Sequence, residues 1–107
     1  MTDRPDPAAR YAEIADELAP RGAVQAKMFG MPCLKDSAGK AFAGLHESEL
    51  VCRLGRDTPA LAEALRLPGA HIFDPVGGRP MKDWACIPLG AAAHWDNFAE
   101  AALIAPR

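Results

Sequence analysis

The chain has 107 residues, half of them apolar and 24% charged, with a formal net charge of −2. That length suits one domain, residues 1–107, with a core of its own, and the composition is that of a folded chain rather than a disordered one. The charge balance gives no global attraction for a phosphate polymer, and no apolar run approaches the roughly 20 residues of a membrane span.

The first ten residues, MTDRPDPAAR, contain no apolar stretch of the signal-peptide kind, so the cytoplasm is the expected compartment. Asp6 followed by Pro7 is a helix start, a side-chain cap ahead of a residue whose missing N–H costs nothing there. Tyr11, Ile14, Ala15 and Leu18 recur at helical spacing, and Pro20 and Gly22 stop the run. From Ala23 the period changes to two. Val24, Ala26 and Met28 face one way and Gln25 and Lys27 the other, which predicts a half-buried strand. Gly30 and Pro32 bend it, Cys33-Leu34-Lys35 continues extended, and Asp36 to Gly39 reads as a hairpin loop with Gly39 at positive φ. Lys40 to His46 is small and apolar on both faces, as a helix-covered central strand would be. Glu47-Ser48-Glu49 makes the next turn. Leu50, Cys52 and Leu54 then point inward, with Val51 and Arg53 outward.

Asp57-Thr58-Pro59 repeats the cap-then-proline start, and Leu61, Ala62 and Leu65 supply the apolar face of a second helix that ends at Pro68-Gly69. AHIFDPV is a strand followed by a break, GGRP a loop, and MKDWACIPL a last strand with Trp84 and Cys86 on one face and Ala85 and Ile87 on the other. Trp95, Phe98, Ala102 and Leu103 form the buried stripe of a C-terminal helix. The expected fold is therefore α+β. It is a single two-layer domain in which an antiparallel sheet of about five strands packs against helices, in the order α-β-β-β-α-β-β-α. Phe29, Phe42, Phe73 and Trp84 are expected in the core.

Little in the linear sequence points to chemistry. The three cysteines, Cys33, Cys52 and Cys86, are odd in number and widely spaced, which reads as reduced thiols packed as small hydrophobes. No His/Asp/Glu spacing of a metal site is visible, and no catalytic residue, metal or cofactor is expected. Gly77-Gly78-Arg79-Pro80-Met81-Lys82 has two glycines and two cations, so Gly77, Gly78, Arg79 and Lys82 are candidate contacts for a ligand or partner. Cys33, just past a proline, is the candidate reactive thiol, and it would need a neighbouring base in an exposed, electropositive setting. Lys27, Lys35, Lys40, Arg53, Arg56, Arg79 and Lys82 concentrate on strand segments and loops, which makes nucleic acid an alternative partner.

Taken in order, MFGMPCLK, GKAFAGL, FDPVGGRPMKDW and a tryptophan-bearing final helix resemble the TfoX N-terminal-domain family, domains similar to the N-terminal half of the TfoX/Sxy competence regulators of bacteria. The resemblance runs from about Lys27 to Phe98. It implies an antiparallel sheet arranged as in the type III secretion chaperones, and it supplies no catalytic residues. Met28, Phe29, Gly30, Gly78, Pro80, Met81 and Trp84 stand at motif positions that look architectural. The regulators join this domain to a second one that the motifs here do not include, so a stand-alone relative is expected. The functional expectation is a non-enzymatic regulatory or protein-interaction module that meets a protein partner or a second copy through a sheet face or edge. The alternatives are a nucleic-acid-binding regulator using the cations, and a thiol enzyme or redox sensor using Cys33.

Overall fold

Hairpin chemistry organises most of this chain. A computed structural model describes residues 6–28, 30–74 and 77–105. Helix α1 (Pro7–Leu18) starts where Asp6 accepts a hydrogen bond from Ala8 N, and a 3-10 turn, Ala19–Arg21, closes it at Gly22. Four strands follow in sequence: β1 (Val24–Met28), β2 (Met31–Lys35), β3 (Ala41–His46) and β4 (Glu49–Arg53). Helix α2 (Pro59–Arg66), strands β5 (His71–Phe73) and β6 (Met81–Ile87), a 3-10 stretch (Leu89–His94) and helix α3 (Trp95–Ile104) complete the order. All six strands form one antiparallel sheet in the order β1-β2-β3-β4-β6-β5.

The α+β class and the order of helices and sheet agree with the sequence reading, while the first extended stretch divides in two. Met28 pairs with Met31, so the chain reverses fully between them, with Gly30 at φ +74°. What reads as a bend is a hairpin, and six strands result. Pro32 is tolerated inside the sheet because the β2–β3 ladder begins one residue later, at Cys33↔Gly44. At Asp36–Gly39 the loop forms as expected. Asp36 Oδ1 accepts from Ala38 N (2.9 Å) and Lys40 N (3.0 Å), and Gly39 takes φ +82°.

Cross-strand register sorts the side chains into two cores. Leu34, Ala43, Cys52 and Ala85 form one row, which faces the helices. They pack with Tyr11, Ile14 and Leu18 of α1, Leu61 and Ala64 of α2, and Trp95, Ala99 and Ala102 of α3. A bulge between Leu34 and Lys35 leaves Phe42 without an opposite residue, and both Phe42 and Ala43 join this core. Trp95 is fully buried and donates its indole N–H to the Pro88 carbonyl (3.2 Å). Burying a side chain of this size stabilises by about 1.5–3 kcal/mol or more. Arg10 ties α1 to the C-terminal segment. Its Nε–H reaches the Ala92 carbonyl (3.0 Å), and its guanidinium pairs with Asp96 (3.2 Å).

The opposite face carries a second cluster: Met31, Val51, Phe73, Trp84 and Cys86, with Met28, Ala41 and Met81 half-buried beside it. Val51, expected outward, is therefore fully buried, because β4 packs on both faces. On α2 the buried pair is Leu61 and Ala64, and Ala62 is exposed. Phe42, Phe73 and Trp84 are core residues as expected, whereas Phe29 lies outside the described residues, as do Pro75 and Val76 of the AHIFDPV run. Strand β1 lies at the sheet edge. Val24 is 58% exposed and Ala26 and Met28 are only half-buried, so its expected core face is largely open.

Candidate functional site

A cleft of about 440 Å³ opens at the end of the sheet where the β3–β4 turn meets β5 and β6. His46, Glu47, Ser48, Glu49, His71, Phe73, Asp74 and Cys86 line it. Register explains the convergence. His46 pairs with Glu49 across the β3–β4 hairpin, and Cys86 stands opposite both Val51 of β4 and His71 of β5. Directly opposed residues in an antiparallel pair share a face, and those two apart along one strand do as well, so Glu49, His71 and Cys86 all point to the helix-free side. Their ligand atoms lie within 4.8 Å of one another. The turn between His46 and Glu49 holds Glu47 at φ +58°, a conformation that costs a non-glycine residue roughly 1–2 kcal/mol.

His71 is held at both ring nitrogens. Nδ1 lies 3.1 Å from the Ile72 carbonyl oxygen and Nε2 lies 3.1 Å from Glu49 Oε1. The carbonyl and the carboxylate both only accept, so each contact is a hydrogen bond when the ring nitrogen facing it carries a proton, and Nε2 is the atom turned towards Glu49. Behind them Cys86 is buried. Burial first, and then the Glu49 charge, pushes its thiol up to about 12. His46 meets the Phe73 ring edge-on, with centroids 5.4 Å apart, and forms the cleft's aromatic wall.

The residues singled out in the sequence lie elsewhere. Cys33 is fully buried between Ala26 and Gly44, and burial raises its thiol pKa, with Lys35 opposing that rise only in part. Buried, with its pKa raised, it lacks the exposed, electropositive setting a reactive thiol needs. The glycine loop does cradle an anion, but an internal one: Asp74 accepts from Gly78 N (2.9 Å) and Arg79 N (3.3 Å). Gly77 and Gly78 take φ +68° and +98°. Lys82 lies apart, in a groove of about 630 Å³ with Arg56, Asp57, Leu61, Ile72 and Pro80. Arg56 bonds Asp83 through its backbone N–H (2.8 Å) and its guanidinium. The strand cations do not share a surface, since Lys35 and Arg53 are on the helix-free face and Lys27 projects to the other.

Linear order hid the Glu49–His71–Cys86 group because its members come from three strands and are spaced 22 and 15 residues apart. The one legible signal was alternation, which places Cys86 opposite in phase to Ala85 and Ile87. Among the described residues no helix is long and apolar enough to cross a membrane. No family model, curated protein or solved structure matches this chain.

Proposed function

We propose that this protein is a non-enzymatic regulatory interaction module, of the kind its TfoX N-terminal-like motifs suggest, and that it pairs with a second copy of itself through strand β1. The supporting observation is the edge itself. β1 is five residues long, pairs with β2 alone among the described residues, and carries an exposed valine, whereas the other edge strand, β5, has three residues. Long unprotected edges are templates for strand addition, and short ones are not.

The β1 sequence is also self-complementary. In an antiparallel pairing about a twofold axis through Ala26, Val24 meets Met28 of the partner on one face and Gln25 meets Lys27 of the partner on the other. Apolar residues face apolar ones, and no like charges stand opposite. Two five-residue strands bury little area, so the association is weak and depends on concentration, which suits a regulatory contact. The expected setting is the reducing cytoplasm, consistent with three buried, unlinked cysteines. The nucleic-acid alternative loses its loop, since Asp74 already occupies the N–H groups an incoming phosphate would use.

Sedimentation velocity over a range of concentrations tests this. The expected result is a monomer–dimer equilibrium that Gln25→Lys shifts to monomer, because the exposed substitution sets like charges opposite Lys27 twice across the axis. A monomer at every concentration, or a dimer indifferent to Gln25→Lys, overturns the proposal.

A further inference from the structure

We propose that Glu49, His71 and Cys86 form a zinc(II) site that clamps the adjacent strands β4, β6 and β5 together at the mouth of the cleft. The first support is the chemistry of the donors. One carboxylate oxygen, one imidazole nitrogen and one sulfur converge within 4.8 Å. Sulfur and nitrogen exclude the hard cations magnesium and calcium, and a mixed S/N/O set matches zinc, a borderline-soft ion. An ion pair accounts for Glu49 and His71, and apolar packing with Val51 and Phe73 accounts for the burial of Cys86; a zinc ion gives the convergence of all three donor atoms one role.

Geometry is the second support. Donors bound to one tetrahedral zinc, at about 2.0–2.3 Å from the metal, sit roughly 3.5 Å apart. Nε2 of His71 and Oε1 of Glu49 are already 3.1 Å apart. The remaining contraction falls to side chains with room to move, since His71 is exposed and Glu49 half-buried, while Cys86 is the fixed point.

Orientation is the third. The Nδ1–H bond to the Ile72 carbonyl turns Nε2 towards the other two donors, the outer-shell arrangement by which a ligating histidine is commonly held. On binding, the Sγ–H bond of Cys86 and the Nε2–H bond that His71 directs at Glu49 both break, the two protons leave to solvent, and the Sγ–Zn and Nε2–Zn bonds form with no change of oxidation state. Three protein ligands leave a fourth position open to the cleft, where water completes the tetrahedron. Strands β2 and β3 separate the site from β1, so its failure and that of the self-pairing proposal are distinguishable.

The test uses the reduced 107-residue chain stripped of metal by a chelator. Calorimetric titration with zinc chloride should give one zinc per chain and a higher thermal midpoint. Cobalt(II) should give a near-ultraviolet thiolate-to-metal absorption band. His71→Ala alters an exposed side chain and should weaken zinc by about tenfold or more, since loss of a direct ligand costs no less than loss of an outer-shell partner. Cys86→Ala should abolish the cobalt band and Cys33→Ala should retain it. If Cys86→Ala does not fold, Glu49→Gln takes its place and should weaken zinc as His71→Ala does. No stoichiometric zinc binding, zinc affinity unchanged in His71→Ala, or a cobalt complex without a thiolate band would each overturn the proposal.

Discussion

Gly44→Ala should destabilise the protein although glycine is normally the worse residue in a strand. Gly44 sits in the middle of β3 between Cys33 and Val51, on the helix-free face. A Cβ there would stand 2.6 Å from Met31 Cε, 2.9 Å from the Pro32 carbonyl oxygen and 3.5 Å from Cys33 Cβ. The methyl end of Met31 can swing away, but Met31 is buried, and displacing it forfeits part of the ~1.5–3 kcal/mol its burial contributes. The carbonyl belongs to the backbone and moves only with β2. Overpacking of this kind costs about 1–3 kcal/mol, against a backbone gain of roughly 0.5–1 kcal/mol for replacing glycine. The net expectation is a loss of about 1–2 kcal/mol. Urea unfolding followed by tryptophan fluorescence measures it as a lower midpoint at constant slope. A double-mutant cycle with Met31→Ala then separates the two contacts, because only the Cε clash disappears in that background. An unchanged or higher midpoint for Gly44→Ala would refute the steric argument, since nothing else about this backbone position disfavours alanine.

Two further substitutions address buried polarity and charge. Tyr11 is buried against the sheet, its hydroxyl lacks a hydrogen-bond partner among the described residues, and burial raises its pKa. Tyr11→Phe should leave the urea midpoint unchanged or raise stability by up to about 1 kcal/mol, and a clear loss would mean that the hydroxyl is satisfied. Asp83 is held below the usual carboxylate range by the Arg56 backbone N–H, then by the Arg56 guanidinium. A lowered folded-state pKa gives stability that is present above the ordinary carboxylate range and lost as pH falls through the folded value. The thermal midpoint should therefore decline less steeply in Asp83→Asn than in the parent between about pH 6 and pH 2, and parallel declines would remove Asp83 from the account.

Local signals carried most of the fold. Asp6-Pro7 and Thr58-Pro59 mark helix starts through side-chain caps that the structure contains, Thr58 accepting from Leu61 N at 3.2 Å. Alternation separated Trp84 and Cys86 from Ala85 and Ile87, the division between the two cores. It failed for Val51 because a strand buried on both faces has no polar side to alternate with. It misread Gly30 because a glycine between extended residues is compatible with either a bend or a reversal, and only the pairing of Met28 with Met31 decides. The cleft was illegible for a different reason. Glu49, His71 and Cys86 meet through the β4–β6 and β5–β6 registers, and register over such separations is a property of the assembled sheet. The glycine loop was recognised as an anion cradle, but Asp74 precedes it by only a few residues and fills it from within.

Five pairings join the six strands, and four of them link neighbours in sequence. The fifth, β4–β6, closes over the segment that holds α2 and β5, so it is the pairing that strand order alone does not supply. Loop-closure entropy grows slowly with length, so the β4–β6 rungs from Leu50↔Ile87 to Arg53↔Trp84 have more to offset than any hairpin in the sheet. The cleft lies across this seam, with Glu49 on the meander side and His71 and Cys86 on the other. Separation of the seam leaves each half with its own hairpins but dissolves the cleft, which makes the cleft a reporter of whether the two halves of the sheet are joined.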